Sequence, residues 1–253
     1  MSTVENKDFV RTFARGLQVI QAMGQPQARQ TIAQVSEAAQ LPRTVVRRLL
    51  MTLIELGFVD AEGSNYWLTP SVMRLGMAYL YTVPFWRQSQ SALEELGAKL
   101  KQSCAIAALD KEDIVYIQRF HTKGILALNP GVGSRLPAYC VSMGRVLLAG
   151  LPRPKLDEYM AAVALKKRTE YTVTEKDRLI QILNEVRDKG YAWGDREYDE
   201  AICGFAVPVR NKSGDVIAAL NVSLLAGEYT EQEAVATFFP LLKLTANQLC
   251  VMT

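Results

Sequence analysis

Three arginines, Arg43, Arg47 and Arg48, lie within QLPRTVVRRLLMTLIELGF, a stretch otherwise rich in large apolar residues. Guanidinium groups present paired donors that match phosphate oxygens or the O6 and N7 of guanine, so the chemistry on offer is recognition of nucleic acid rather than bond-making. As a helix, with about 100° between residues, the stretch places Val46, Leu49, Leu53 and Leu56 on one side and Arg43, Thr44, Arg47 and Arg48 on the other. The apolar side should be buried; the basic side is either simply solvated or laid against DNA. Arg43 and Arg47, one turn apart, are placed to approach base edges or nearby phosphates. Arg48 can serve phosphate or an intramolecular pair, and Thr44 adds a short hydroxyl near the helix start.

Other chemistry is poorly supplied. Cys104, Cys140, Cys203 and Cys250 are widely separated, form no Cys-x-x-Cys pair and are accompanied by a single histidine, His121, so reduced structural thiols are expected and no metal site. Cys140 or Cys203 with His121 is the raw material of a cysteine-dependent hydrolase, but no nucleophile motif or orienting third group is present. The GVG at 131–133 lacks the spacing of a phosphate loop, and Lys166, Lys167 and Arg168 read as a solvated loop. No catalytic residue and no cofactor are expected. The formal net charge of +3 over 253 residues identifies no partner, because nucleic-acid binding depends on where positive charge is concentrated. A hydrophobic fraction of 49% is that of a globular chain with a real core. There is no apolar run long enough to cross a bilayer and the first residues lack signal-peptide order, so a cytoplasmic location with no membrane partner is expected.

The basic helix needs a scaffold, and the surrounding pattern supplies one. Val10, Phe13, Leu17 and Ile20 recur at helical spacing before a stop at Gly24, Gln25 and Pro26. Thr31 and Gln34 have the spacing of a capping box and open a second short helix near 31–39. Pro42 suits the first turn of the basic helix, which ends at Gly57. AEGSN, between Phe58–Val59 and Tyr66–Leu68, has the composition of a small hairpin, and SVMRLGMAYLY reads as a further helix. A short helix, a tight turn, a two-faced basic helix and a hairpin are the ordered parts of a winged helix-turn-helix, and in that setting the basic face is read as DNA-binding. The amides opening both short helices can meet phosphates, assisted by the helix dipole. Thr31 therefore joins Arg43, Thr44, Arg47 and Arg48 as a DNA-binding candidate.

Beyond about residue 85 the character changes. A helix near 86–102 precedes strand-like runs CAIAALD, DIVYIQRF and GILALN. Helical segments near 141–151, 155–163 and 174–189 lead to strands at GFAVPVR and VIAALNVSL, and Thr230 with Glu233 repeats the capping-box spacing at a last helix. Hairpin-linked strands flanked by helices point to an α+β domain. In VIAALNVSL, Ile217, Ala219, Asn221 and Ser223 share one strand face and Ala218, Leu220 and Val222 the other. The first face turns polar midway, which fits a partly exposed strand or the polar end of a mostly apolar ligand cavity.

FARGLQVIQAM, TIAQVSEAAQLPRTVVRRLLMTLIELGFV and YWLTPSVMRLG resemble the N-terminal domain of IclR-type transcriptional regulators. VGSRLPAYCVSMGRVLLAGLP and ICGFAVPVRNKSGDVIAALNVSL resemble that family's effector domain. The resemblance spans almost the whole chain, and SRLPAYCVSMGRVLLA is most similar to the subgroup controlling aromatic-acid and β-ketoadipate pathway genes, protocatechuate and hydroxybenzoate regulators among them. It implies a two-domain α+β protein: a winged helix-turn-helix at 1–69, a linker helix at 70–84 and a GAF-like, antiparallel-sheet effector domain at 85–253. It further implies Leu136, Ser142, Met143, Gly204, Asn221 and Ser223 as pocket residues, with Asp195 in a bordering segment and Tyr139 and Cys140 beside the matched positions. Met143 stands where relatives often place small residues, which bears on the pocket's size. A carboxylate effector needs donors, for which Arg135, Ser142, Asn221 and Ser223 are the types at hand; Arg135 could instead hold its loop. The implied partners are double-stranded operator DNA, a small organic acid, a second copy of the chain as homodimer or dimer of dimers, and RNA polymerase if the protein activates. A cysteine-dependent hydrolase or an interaction module that does not bind DNA is the alternative.

Overall fold

A computed structural model of the chain describes residues 8–24, 28–82, 84–122 and 131–250. They form two compact units, residues 1–82 and 83–253.

In the first unit, α1 (Arg11–Ala22), α2 (Ile32–Ala39) and α3 (Arg43–Glu55) pack with a small antiparallel sheet of β1 (Gln30–Thr31), β2 (Val59–Glu62) and β3 (Asn65–Leu68), ordered β1-β3-β2. Thr31 and Gln34 form the reciprocal capping box that starts α2. The helix stops at Gln40, whose φ of 50° turns the chain left-handed, and the Ser36 hydroxyl donates to the Leu41 carbonyl across the turn at 2.5 Å. Pro42 then opens α3, its carbonyl accepting from the amides of Val45 and Val46. Beyond the hairpin, a short 3-10 turn at Pro70–Val72 leads into α4 (Met73–Thr82).

Two apolar stripes differ from the sequence expectation. On α3 the buried residues are Val46, Leu50 and Leu53; Leu49 is partly buried and Leu56 is 61% exposed. At about 100° per residue Leu50 lies roughly 40° from Val46 whereas Leu56 has drifted roughly 80° away, and Leu56 is already the C-cap. On α1 the core is met by Val19 and Ala22, while Val10, Phe13 and Leu17 are exposed. The most apolar face of α1 therefore looks away from its own unit.

The second unit is built on a six-stranded antiparallel sheet ordered β6-β5-β4-β9-β8-β7. The strands are β4 (Ser103–Asp110), β5 (Asp113–Phe120), β6 (Arg135–Pro137), β7 (Ala192–Asp195), β8 (Ile202–Arg210) and β9 (Val216–Leu225). One face is covered by α5 (Pro84–Leu100) and α9 (Glu231–Cys250), the latter opened by the Thr230–Glu233 capping box. Against the other face lies α6 (Ser142–Ala149), buried along its whole length, with α8 (Lys176–Lys189) packed on α6; α7 (Arg153–Ala162) joins the same core. Both faces of β9 are thus covered, and Asn221 is only 3% exposed, which disposes of the partly solvated strand. The alanines at 105, 107, 192, 206 and 219 belong to the α6-side core; their small side chains leave room between sheet and helix. The strand expected at GILALN lies outside the described residues.

One irregularity matters for the site. Ile106 of β4 pairs with Gln118 of β5, but the next residue, Ala107, pairs with Tyr116. Ile117 is therefore an extra residue, a β-bulge that reverses which face the following side chains take. Gln118 accordingly bonds the Trp86 carbonyl of α5, and Arg119 is turned to the α6 side.

Candidate functional site

The first unit presents its basic face on α3. Arg43, Thr44, Arg47 and Arg48 are all exposed, and among the described residues none of these arginines is held in an ion pair. Pro42 provides no side-chain cap, and the first amides of any helix have no intrahelical acceptor, so the start of α3 offers donors as well as charge. By contrast the Thr31 hydroxyl is occupied within its own capping box. At the hairpin, Arg29 lies 4.5 Å over the Trp67 ring and 2.5 Å from the Glu62 carboxylate, bracing the base of the wing.

In the second unit a cavity of about 80 Å³ opens between the sheet and the start of α6. Its less polar walls include Leu136, Cys140, Val141, Met143, Ile202 and Cys203, and Ser142, Asn221 and Ser223 bring polar atoms to it, with Glu197 and Asp199 also in its lining. Gly194 and Gly204 form the floor opposite Ser142. A Cβ on Gly204 would sit 2.6 Å from the Ser142 hydroxyl oxygen and 3.5 Å from the Ser142 Cβ, so any side chain there would displace that hydroxyl. The Asn221 amide donates to the Ser223 hydroxyl at 3.3 Å, while its buried Oδ1 has no hydrogen-bond partner among the described residues.

A loop after β7 closes one side with Glu197, Tyr198 and Asp199. Arg145 of α6 holds this loop through a bidentate pair to Glu197, at 2.5 and 2.6 Å, with both side chains almost fully buried. The Thr172 hydroxyl donates to the Glu197 carbonyl at 2.6 Å, fixing the backbone as well. Burial raises the Glu197 carboxyl and Arg145 opposes that rise. Burial also pushes the Cys140 and Cys203 thiols up to about 12, so both are protonated at neutral pH and unsuited to nucleophilic attack. Cys203 instead donates to Asp195 at 2.9 Å.

Of the expected pocket residues, Leu136, Cys140, Ser142, Met143, Gly204, Asn221 and Ser223 come together around the cavity. Arg135, Tyr139 and Asp195 do not line it. Arg135 is exposed and pairs with Asp110 at 2.6 Å and Asp113 at 3.1 Å, tying β6 to the β4–β5 hairpin. The Tyr139 hydroxyl turns away to donate to the Lys166 carbonyl. Asp195 is engaged by Arg196 and Cys203, and Arg196 holds its carboxyl below the usual range. Residues that sequence reasoning missed include Tyr116, Arg119, Gly194, Glu197, Tyr198 and Asp199. The acidic run DREYDE was a visible signal for the loop. Arg119 had none, since strict alternation from Tyr116 puts it on the other face and only the bulge brings it in.

A helix-turn-helix unit bearing an exposed basic helix, carried on the same chain as a cavity-bearing sheet domain, defines a class: DNA-binding transcriptional regulators. The chain belongs to the IclR family. The IclR helix-turn-helix domain matches residues 12–63 and the C-terminal domain of bacterial IclR transcriptional regulators matches residues 77–251. The Pca regulon regulatory protein of Pseudomonas putida is 40% identical over 96% of this chain and 84% of its own length. A transcriptional regulator from Rhodococcus sp. RHA1 superposes with a TM-score of 0.84 at 38% identity, covering 96% of this chain and 98% of its own. The inducer-binding domain of the Acinetobacter transcription factor PobR, a double mutant solved with 3-hydroxybenzoic acid, gives a TM-score of 0.60 at 32% identity over 66% of this chain and 97% of that one. Family and relatives are regulators, not enzymes, in keeping with thiols kept protonated. None of the helices among the described residues is long and apolar enough to cross a membrane.

Proposed function

We propose that this regulator senses an aromatic acid or one of its ring-cleavage products and converts occupancy of the cavity into a change in operator binding. On the DNA side, Arg43 and Arg47 approach base edges from the major groove. Arg48, Thr44 and the amides opening α2 and α3 serve phosphates, with Thr31 setting the start of α2. On the effector side, Leu136, Met143 and Cys140 supply apolar contact, Gly204 the space, and Ser142, Asn221 and Ser223 the orienting polar atoms. A volume of about 80 Å³ is room for several waters at roughly 10–15 Å³ each, the size class of one small ring or a short diacid. The relatives' regulon and bound ligand, Pca genes and 3-hydroxybenzoic acid, support the same class.

A single winged helix covers a short half-site, so the regulator acts as a homodimer or dimer of dimers. The exposed residues Phe13 and Leu17 on α1, with Phe9 just before it, support pairing of two copies, since an apolar patch of this kind marks an interaction surface. Helix α4, within residues 70–84, links the DNA-binding unit to the sensor unit, in the cytoplasm, and RNA polymerase is a further partner where the protein activates. Coupling requires that the effector bind one arrangement of the paired units better than another.

The observation that carries this reading is the cavity whose apolar walls end on Ser142, Asn221 and Ser223. Thermal unfolding of the full chain with hydroxybenzoates, protocatechuate, 3-oxoadipate and unrelated aliphatic acids tests it, because a ligand that binds only the native state raises the unfolding temperature by mass action. A rise with at least one of the first three is expected. No shift with any of them overturns the effector class and leaves DNA binding untouched.

A further inference from the structure

The first unit treats its exposed arginines in two ways. Arg43, Arg47 and Arg48 on α3 make no ion pair among the described residues. Arg29, beside the hairpin, is held twice: its guanidinium lies 4.5 Å over the Trp67 ring, and its Nη1 donates to a Glu62 carboxylate oxygen at 2.5 Å. The ring fixes the plane of the guanidinium and the carboxylate takes its charge.

The hairpin supplies no other cation. From Phe58 to Thr69 the only charged residues are Asp60 and Glu62. Register pairs Asp60 with Trp67 and Glu62 with Asn65, so these four share the face on which Arg29 lies, opposite the buried Val59 and Tyr66. The hairpin is also fixed to α3. The Phe58 amide donates to the Leu53 carbonyl at 2.9 Å, the Thr69 hydroxyl to the Gly57 carbonyl at 2.5 Å, and Val59 and Tyr66 share a core with Val46 and Leu50. Sequence-independent affinity for DNA grows with the number of phosphates that cations neutralise, each releasing a condensed counterion. A phosphate that took Arg29 would leave the Glu62 carboxylate unpaired beside Asp60, so a counterion released from the DNA would be matched by a cation taken up at Glu62. The exchange gains nothing.

We propose that Glu62 is a specificity-determining residue of DNA recognition: it withholds Arg29 from phosphates, so that the hairpin adds nothing to sequence-independent binding and discrimination rests on α3. Specificity is a difference of affinities, and weakening the hold on wrong sequences raises it as surely as improving contacts to the right one. On an operator the base contacts of α3 fix the register, whereas on other sequences the protein settles wherever its cations meet phosphates. A freed Arg29 therefore favours the second kind of binding. The assignment rests on α3 as the reading helix and is independent of the effector.

Binding of the full chain to a random-sequence duplex, and to a duplex enriched by selection from a random pool, each measured against salt, tests the assignment. Glu62→Gln should bind the random duplex at least about threefold more tightly at low salt and steepen the log-log salt slope by roughly 0.9, the mark of one further phosphate contact. The ratio of enriched to random affinity should fall by at least about twofold. Adding Arg29→Gln to Glu62→Gln should return the slope to that of the wild type and the affinity to within about twofold of it, because a neutral pair then replaces a neutralised one. Both side chains are exposed, so unfolding midpoints should hold in each variant. A Glu62→Gln slope equal to that of the wild type overturns the withholding. So does a double variant with a shallower slope than the wild type, which would place Arg29 on a phosphate already. An unchanged ratio of enriched to random affinity in Glu62→Gln overturns the selectivity role. A wild type with no salt-dependent binding to either duplex fails the reading of α3 itself.

Discussion

Helix α3 and the cavity of the second unit are the two candidate functional surfaces, and they are made in different ways. On α3 the candidate residues lie within a few positions of one another, and one helical period divides buried from exposed. Around the cavity they come from β5, β6, the start of α6, the loop after β7, β8 and β9, and no local period unites them. The first surface can lose a residue without disturbing its neighbours. The second is held by contacts between distant segments, above all Arg145 to Glu197, so its chemistry and its stability are coupled.

The largest expected effect tests that coupling. Arg145→Ala strands the buried Glu197 carboxylate and should destabilise the second unit by about 3–5 kcal/mol, read by denaturant unfolding, and should also abolish effector binding by freeing the 197–199 loop. A loss under about 1 kcal/mol would show that the loop is held by Thr172 and its backbone instead. Next comes the first unit's own core: Leu50→Ala should cost about 2–5 kcal/mol, whereas Leu56→Ala, on the exposed edge, should stay within about 0.5 kcal/mol. Equal effects would restore the sequence-derived face. Gly204→Ala crowds the Ser142 hydroxyl and should cost about 1–3 kcal/mol while weakening cavity ligands, since that hydroxyl must turn or shift. Smallest in stability, Arg47→Ala should leave the unfolding midpoint nearly unchanged yet weaken operator binding by about 1–3 kcal/mol if it makes a bidentate base contact. Binding measured against salt adds a check, because loss of one phosphate contact lowers the log-log slope by roughly 0.9.

The parts of this molecule that were legible in advance share a physical basis: their determinants are neighbours in the chain. Capping boxes at Thr31 and Thr230 act over three residues, Pro42 acts at its own helix start, and the Gly63 turn between β2 and β3 needs only its own φ of 60°. Even so, periodicity alone misassigned Leu56 on α3 and passed over Leu50. The ideal stripe indicates an apolar side, while the partners Val19, Val35 and Val59 decide which residues along its edge are covered. Phe13 and Leu17 make the same point in reverse, being apolar, correctly spaced and exposed.

What the sequence by itself determined was the helix-turn-helix order, the outward basic face of α3, the α+β character of the second unit and the segments from which a pocket would be drawn. Only the tertiary structure decided who faces that pocket. Arg135 and Arg119 are both strand arginines, yet Arg135 is spent on Asp110 and Asp113 at a hairpin edge, and Arg119 enters the cavity because one extra residue at Ile117 shifts the pleat. A strand's side-chain direction follows from its register with its neighbours, and register is settled between strands, not within them.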